Sequence, residues 1–318
     1  MNTKLNETGP ETGPETSPSS NDYKFTRKVE YKHVTQQKTS YTTISKEYPK
    51  SIGDPYYPIS TEKDKKLLKH YQMIDNLKNK TVLVTGATGG IGKTICNSFA
   101  VANAQIILHY NSNKEKAEII KDNLPGSEHK IIQGDLSNTN DIERMFGEMD
   151  DLDVVINNAA VVKTHDIDFL SFEDWKKMWD NTINTNLLGP AHIIYFASRQ
   201  MANNNGGKFI NISSRGAFRG EPSAPAYGAS KAGLNSLGQS MAKALAKDKI
   251  FIYTIAPGFV ATDRVKNLIT DEVKAQSPLN RVATPEEVAE TALWLALGDN
   301  EFLTGCIIDV NGASYLRS

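Results

Sequence analysis

Short apolar segments alternate with stretches of helical periodicity over most of this chain, and that alternation constrains its fold more than any other feature. The apolar segments are nearly continuous, which is typical of parallel strands covered on both faces. Because crossovers between parallel strands are right-handed, the pattern predicts an α/β fold with a single Rossmann-like, doubly wound parallel sheet and helices on both faces. Strands are predicted over 81–85, 105–109, 130–133, 153–157, 207–212, 250–255 and 305–310, and helices over 90–102, 113–123, 139–148, 171–200, 226–247 and 285–298.

The N-terminal part of the chain differs from the rest in composition. Residues 8–18 repeat the tetrapeptide TGPE, and hydrophobic residues are nearly absent before residue 20. A segment this polar buries too little apolar surface to offset the entropy lost on ordering. We therefore predict a low-complexity, flexible extension over 1–75 and one folded domain over 76–318.

Charge and composition exclude several classes of protein. A formal net charge of −1 gives no electrostatic reason to expect nucleic acid or an anionic membrane as a partner. No apolar run approaches the roughly 18–20 residues of a membrane span, and the N-terminus lacks the features of a secretory signal. Cys96 and Cys306 are isolated, so we expect reduced, buried thiols and no metal site. These features favour a cytoplasmic location.

A glycine-rich turn, VTGATGGIG, joins the first predicted strand to the first predicted helix. Its glycines let the backbone approach a pyrophosphate, and the helix behind them presents free N–H groups and a positive dipole end. A glycine-rich turn is common in itself, but at this position of a doubly wound sheet it indicates a dinucleotide cofactor. The spacing is G-x-x-x-G-x-G, which differs from the common G-x-G-x-x-G fingerprint.

Tyr227 and Lys231 lie four residues apart in AYGASKAG, so a helix would place both side chains on one face. Such pairs are common on protein surfaces, and a catalytic interpretation needs a cofactor and a polarising group as well. Ser214 supplies a candidate, because it follows the predicted strand 207–212 at the edge where doubly wound sheets bind ligands.

These motifs together resemble the short-chain dehydrogenase/reductase family, whose nucleotide motif is TGxxxGxG. GDLS (134–137), NNAA (157–160), APGFVAT (256–262) and the ending LTGCIIDVNGASYL resemble further family motifs in the same order, although the family has glycine at the last position of NNAA. The likeness covers about residues 76–318 and is greatest to members of the 3-oxoacyl-carrier-protein reductase type. The resemblance implies that the cofactor is bound by Gly86, Thr88, Gly90, Ile91, Gly92, Asp135, Leu136, Asn158, Tyr227, Lys231 and Val260, and Asn111 after the second predicted strand is a further candidate.

The resemblance also implies a role for each catalytic residue. Lys231 would lower the pKa of the Tyr227 phenol and hydrogen-bond the nicotinamide ribose. Tyr227 would pass a proton to or from the carbonyl oxygen, and Ser214 would stabilise negative charge there. Ser213 is the alternative to Ser214.

Asn186, in NTNLLG, matches a fourth family position. The resemblance implies that it kinks a helix and holds a water between the lysine and solvent, while Asn157 braces the sheet. Asn181 and Asn184 are the alternatives to Asn186.

The end of the second predicted strand bears on the choice of cofactor. NAD enzymes usually carry an acid there to bind the ribose hydroxyls. Tyr110 stands at that position, and no Asp or Glu occurs between Lys93 and Glu115. The missing acid favours NADP(H) over NAD(H), although the glycine turn lacks the basic residue of many NADP members. Polar candidates for a 2′-phosphate are Asn111, Ser112, Asn113, Lys114 and Lys116.

Three further side chains lie near the predicted site. His165 follows NNAA on the substrate side, and a surface position in a loop is favoured for it. Arg215 and Arg219 flank Ser214 and could meet an acidic substrate, but solvated arginines or an oligomer contact are favoured.

The resemblance therefore implies an NADP-dependent oxidoreductase that interconverts a carbonyl and a secondary alcohol on a small-molecule substrate. Family members commonly form homo-oligomers, tetramers or dimers, so the helices at 171–200 and 226–247 should be apolar on two faces. A non-catalytic NAD(P)-binding regulator on the same fold is the alternative, disfavoured by the complete proton-transfer set. An epimerase or dehydratase is disfavoured by the glycine spacing and by the absence of a longer C-terminal substrate domain.

Overall fold

The computed structural model of this protein describes residues 77–149 and 151–317. These residues all fall within one compact unit, Lys69–Ser318. The extension predicted over 1–75 lies outside the described residues.

Seven strands and nine α-helices are present in the described part of the chain. The strands are β1 (Thr81–Val84), β2 (Gln105–Tyr110), β3 (Lys130–Gln133), β4 (Val154–Asn157), β5 (Gly207–Ile212), β6 (Ile250–Pro257) and β7 (Ile307–Val310). The helices are α1 (Gly90–Val101), α2 (Lys114–Asp122), α3 (Thr139–Glu148), α4 (Phe172–Ile183), α5 (Gly189–Asn203), α6 (Gly216–Arg219), α7 (Pro225–Leu245), α8 (Asp271–Ala275) and α9 (Pro285–Leu297).

The strands form one sheet in the order β3-β2-β1-β4-β5-β6-β7, and every neighbouring pair is parallel. The chain runs outward from β1 to β3 and then returns to place β4 beside β1, so the winding direction reverses between these two central strands. Ligands of doubly wound sheets bind at such a reversal, beyond the carboxyl ends of the strands. The predicted fold class is confirmed.

The sheet is covered on both faces by apolar side chains, which explains why the strand sequences are continuously hydrophobic. Val82 and Val84 pack on one face in a cluster that includes Phe99 of α1. Leu83 points to the opposite face and packs in a second cluster with Met145 of α3. Successive residues of one strand thus contribute to two separate hydrophobic layers.

The helix predicted over 171–200 is interrupted. α4 ends at Ile183, a π-helical turn spans Asn184–Leu188, and α5 begins at Gly189. A π-turn inserts an extra residue into the helical repeat, and such turns are frequent at functional sites. The backbone also comes close to its neighbour here, because a Cβ on Gly189 would lie 2.8 Å from the carbonyl oxygen of Leu136.

Side-chain exposure tests two further predictions. Phe172, Leu188 and Tyr195 are exposed in the 171–200 segment. Over 226–247 the exposed apolar side chains are small: Ala229, Ala232, Ala244 and Ala246. Both cysteines are free, but Cys306 is half-buried rather than buried like Cys96. Among the described helices, none combines the length and apolar character needed to cross a membrane.

Candidate active site

A cavity of about 710 Å³ lies beyond the carboxyl ends of the strands. It is lined by residues that directly follow β1, β2, β3, β4, β5 and β6, which places it at the reversal in winding. The lining includes all the predicted cofactor-binding residues together with Ser214: Gly86, Thr88, Gly90, Ile91, Gly92, Asn111, Asp135, Leu136, Asn158, Ser214, Tyr227, Lys231 and Val260. Their individual roles stay predictions.

In the glycine turn after β1, two positions have no space for a side chain. Gly86 has φ +62°, and a Cβ there would lie 2.8 Å from the Cα of Ala159. A Cβ on Gly92 would overlap the carbonyl oxygen of Gly86. No side chain caps the N-terminus of α1, so its first-turn N–H groups remain for an anion. The turn therefore fits the pyrophosphate of a dinucleotide.

Asn158, the residue directly after the neighbouring strand β4, braces this turn. Its Nδ2 donates to the carbonyl oxygens of Thr85 at 2.8 Å and Gly86 at 3.2 Å, and its backbone N–H donates to Thr85 Oγ1 at 2.9 Å. The side chain of Asn157 instead donates to Asn211 Oδ1 at 2.9 Å, joining β4 to β5. The prediction that Asn157 braces the sheet is confirmed.

His109, which no sequence motif indicated, joins the glycine turn to the chain that follows β3. Its Nδ1 accepts the Gly86 N–H at 3.0 Å, and its Nε2 lies 2.9 Å from the carbonyl oxygen of Gly134 and donates to it. Only the neutral imidazole can do both. Burial lowers the pKa of His109 to about 4, which keeps the ring neutral. The sequence feature that could have identified His109 is the presence of a histidine within an otherwise apolar strand.

The part of the cavity lined by the residues after β2 is polar, but it has fewer positively charged side chains than the sequence predicts. Asn111, Ser112 and Asn113 line it, whereas Lys114 and Lys116 do not. Asn113 is also occupied locally, because its Oδ1 caps α2 by accepting the Lys116 N–H at 2.8 Å. The Tyr110 side chain is buried and lies outside the lining. No acid occupies the position from which one would repel a 2′-phosphate.

Two adjacent serines after β5 have different surroundings. Ser213 is buried, and its Oγ donates to the carbonyl oxygen of Lys231 at 3.3 Å, which joins the strand to α7. Ser214 accepts the Gly216 N–H at 3.0 Å, lines the cavity and lowers the pKa of the Tyr227 phenol. Of the two serines, Ser214 is therefore the one whose hydroxyl acts on the tyrosine.

α7 carries Tyr227 and Lys231 on one face, with the Lys231 ammonium 5.8 Å from the centre of the phenol ring. Burial raises the pKa of Tyr227, and the hydrogen bond from Ser214 offsets this only in part. The phenol pKa is therefore raised overall in this structure, and the lowering of it by Lys231 stays a prediction. Burial also lowers the pKa of Lys231 to about 8, which weakens it as a positive neighbour.

Asn186 lies in the π-helical turn, fully buried and outside the cavity lining. Its Oδ1 accepts the Val161 N–H at 2.8 Å, and its Nδ2 donates to the Val161 carbonyl oxygen at 2.9 Å. Nδ2 also lies 3.2 Å from Ser230 Oγ, one residue before Lys231. Asn186 thus ties the loop after β4 to α7, and the alternative Asn181 is the one that lines the cavity.

His165 is buried rather than exposed, contrary to the sequence-based expectation. Its Nδ1 donates to the carbonyl oxygen of Lys163 at 2.7 Å, and its Nε2 accepts the Ala226 N–H at 3.2 Å. Ala226 is in the first turn of α7, directly before Tyr227. The histidine anchors the start of the helix that carries the tyrosine, and it lies outside the cavity lining.

Arg215 is also buried, so the preference for a solvated arginine was wrong. Arg215, Arg219 and Arg264 line the cavity together with Glu221, and the last two of these four were not singled out from the sequence. Within residues 77–149 and 151–317, no cluster of three or more His, Cys, Asp or Glu side chains is arranged to hold a metal ion.

Comparison with known proteins finds two family models and curated relatives that are similar to this chain. A family model described as enoyl-(acyl carrier protein) reductase matches residues 86–313, and a UDP-galactopyranose mutase model matches the shorter stretch 18–90. The 3-oxoacyl-acyl-carrier-protein reductase FabG of Staphylococcus aureus is 33% identical over 247 residues, covering 74% of this chain and 98% of its own length.

Solved structures cover a similar share of the chain. The angucycline C-6 ketoreductase LanV with bound NADP superposes with a TM-score of 0.69 at 26% identity, covering 75% of this chain and 96% of LanV. The promiscuous reductase LugOII, which catalyses keto-reduction at C1 during lugdunomycin biosynthesis, superposes with a TM-score of 0.70 at 26% identity, covering 76% of this chain and 100% of LugOII.

Proposed function

This chain belongs to the short-chain dehydrogenase/reductase family, as an NAD(P)-dependent oxidoreductase acting on CH–OH or carbonyl groups, and we propose that it is an NADP(H)-dependent carbonyl reductase with Tyr227 as its proton donor. One observation carries the proposal: Ser214, Tyr227 and Lys231 line the same cavity as the glycine turn Gly86–Gly92. A cofactor held at the turn and a carbonyl held at the serine would thus share one cavity.

The proton transfer follows from the surroundings of the tyrosine. Burial raises the pKa of Tyr227, so the phenol is protonated at neutral pH and can donate to a carbonyl oxygen. Ser214, which lines the same cavity, would donate to the same oxygen and stabilise the negative charge that develops on it. When bound, the nicotinamide cofactor supplies or accepts the hydride.

Cofactor contacts divide between the two ends of the cavity. The N–H groups at the start of α1 would hold the pyrophosphate, and Asp135 and Leu136 would lie beside the adenine. At the other end, Lys231 would hydrogen-bond the nicotinamide ribose and Val260 would lie near the nicotinamide carboxamide.

Two observations support NADP(H) over NAD(H). The lining after β2 consists of Asn111, Ser112 and Asn113 and has no carboxylate to repel a 2′-phosphate. The similar ketoreductase LanV was solved with bound NADP. We also propose a small-molecule substrate and a homo-oligomer, a tetramer or dimer, which analytical ultracentrifugation would test.

A fluorescence titration of the full chain with NADPH and NADH tests the cofactor, and the same sample is then screened for NADPH oxidation with ketones, β-ketoacyl esters and sugars. We expect tighter binding of NADPH and turnover of one substrate group. Tighter binding of NADH would overturn the cofactor assignment. Binding without turnover of any carbonyl would favour the non-catalytic regulator on this fold.

A further inference from the structure

Arg215 is an unusual residue to find buried beside the serine of this cavity. It directly follows Ser214, lines the cavity and is only 5% exposed. Its backbone N–H donates to the carbonyl oxygen of Pro257 at 2.9 Å, which fixes the main chain between β5 and β6. The position of the arginine is therefore set by the same strand ends that hold the serine.

The guanidinium has little to compensate its charge. Among the described residues its one side-chain hydrogen bond is from Nη2 to Gln276 Oε1, a neutral acceptor, and it has no ion pair. The neighbouring Glu221 is shared with Arg219, whose Nε lies 3.6 Å from Glu221 Oε1. A guanidinium has five N–H donors, so most of those of Arg215 remain for another acceptor.

Physical chemistry makes this arrangement costly in the absence of an anion. Buried charges in proteins are normally paired, because an unpaired charge loses its hydration without compensation. Burial lowers the pKa of Arg215 and the nearby charge of Arg219 lowers it further, whereas the Glu221 carboxylate raises it. Arg264, also in the lining, adds positive charge to the same cavity. The planar fork of an arginine matches a carboxylate or phosphate group through two parallel hydrogen bonds.

We propose that Arg215, with Arg219 beside it, binds an oxyanion group carried by the substrate, so that the enzyme prefers ketones bearing a carboxylate or a phosphate. The inference rests on the proposed carbonyl reductase function. The cofactor's pyrophosphate is a less suitable occupant, because the glycine turn follows β1 and Arg215 follows β5, and β4 lies between these two strands. At about 4.8 Å per strand spacing, the two strand ends are about 10 Å apart.

The test compares matched substrates that differ in charge. NADPH oxidation by the full chain is measured with acetoacetate and methyl acetoacetate, with levulinate and methyl levulinate, and with dihydroxyacetone phosphate and dihydroxyacetone. We expect kcat/KM for one anionic series to exceed that of its neutral partner by about 10- to 100-fold, the range for hydrogen bonds to a charged group. The carboxylate and phosphate arms identify which oxyanion is bound.

Arg215→Gln should reduce that preference to near unity while changing kcat/KM for the neutral partner and the affinity for NADPH less than about threefold. Arg144→Gln removes an arginine of α3 that is outside the cavity lining and should retain the preference. An equal loss on charged and neutral substrates, or weakened NADPH binding, would contradict the proposal. If Arg215→Gln fails to fold, the proposal is tested by the preference of the wild type for the anionic substrate and by the loss of that preference in Arg219→Gln.

Calorimetric titration of the Tyr227→Phe variant with the same acids separates this inference from the proposed function. One outcome is that the acids bind only when Arg215 is present and that the wild-type protein reduces no ketone. This outcome would support the oxyanion site and overturn the reductase. Turnover of neutral esters with no preference for acids would overturn the oxyanion site and leave the reductase standing.

Discussion

The ammonium of Lys231, in the interior of α7, donates a hydrogen bond to the main-chain carbonyl oxygen of Ile212 at 2.7 Å. Ile212 is the last residue of β5, two positions before Ser214. The lysine is therefore held against the strand end that positions the serine before any cofactor binds. Its side chain is 2% exposed, and this burial lowers its pKa to about 8.

The first prediction is that cofactor affinity depends on the protonation of Lys231. The lysine is charged below pH 8 and loses its proton as the pH rises through about 8. We expect the Kd for NADPH to be constant from pH 6.5 to 7.5 and to rise by up to about tenfold per pH unit above 8. Fluorescence titrations measure this. Lys231→Met should bind weakly at all these pH values, and a wild-type Kd that is flat to pH 10 would contradict the prediction.

Tyr227→Phe removes the proposed proton donor and little else. We expect the Kd for NADPH to stay within about threefold of wild type, while kcat for carbonyl reduction falls by about 10²- to 10⁴-fold, the usual contribution of general acid catalysis. Steady-state kinetics and cofactor titration on the same preparation measure both quantities. Substantial turnover in the variant would rule out the proton-transfer role.

Ser214→Ala and Ser213→Ala form a matched pair. Loss of the Ser214 hydroxyl should lower kcat by about 10²- to 10³-fold, because it removes a donor to the developing oxyanion. Loss of the Ser213 hydroxyl removes a hydrogen bond to the Lys231 carbonyl and should cost about 1 kcal/mol of unfolding free energy with smaller effects on kcat. Kinetics and urea denaturation of both variants test this. The reverse ranking of kcat would assign catalysis to Ser213.

Gly92→Ala tests the close packing of the cofactor turn. The added Cβ would overlap the Gly86 carbonyl oxygen and lie 2.8 Å from Asn158 Nδ2. We expect a loss of about 1–3 kcal/mol of unfolding free energy and at least about tenfold weaker NADPH binding. Gly147→Ala in α3 is the control, because nothing lies within 4 Å of its Cβ; it should stabilise the protein by up to about 1 kcal/mol. Thermal melts and titrations distinguish the two.

His109 makes stability sensitive to acid. The unfolded chain binds a proton at this residue near pH 6.5, whereas the folded protein does so only near pH 4. The unfolded state therefore holds more protons between these values, so the contribution of His109 is complete above pH 6.5 and about 3 kcal/mol is lost as the pH falls to 4. Urea denaturation of wild type and His109→Asn from pH 7 to 4 isolates this slope. Parallel pH profiles would contradict the prediction.

The sequence predicted well the helices and strands that local residue patterns specify. The strands 130–133 and 207–212 and the helix 139–148 have the predicted bounds, and most other elements differ from prediction by one or two residues at an end. The resemblance implied a kink at Asn186, but the helical periodicity of 171–200 did not indicate the π-turn Asn184–Leu188, because a continuous period does not show a single inserted residue. α6 and α8 were missed because elements of four and five residues are too short to show a period.

The sequence by itself determined the sheet, the glycine turn and the spacing of Tyr227 and Lys231, because strand hydrophobicity, turn chemistry and helical periodicity are local properties. Only the tertiary structure decided which polar groups became buried and what they met there. It buried His109, His165 and Arg215, and it opposed the expected lowering of the tyrosine pKa. Desolvation and long-range hydrogen bonding depend on segments distant in the chain, and no local pattern carries that information.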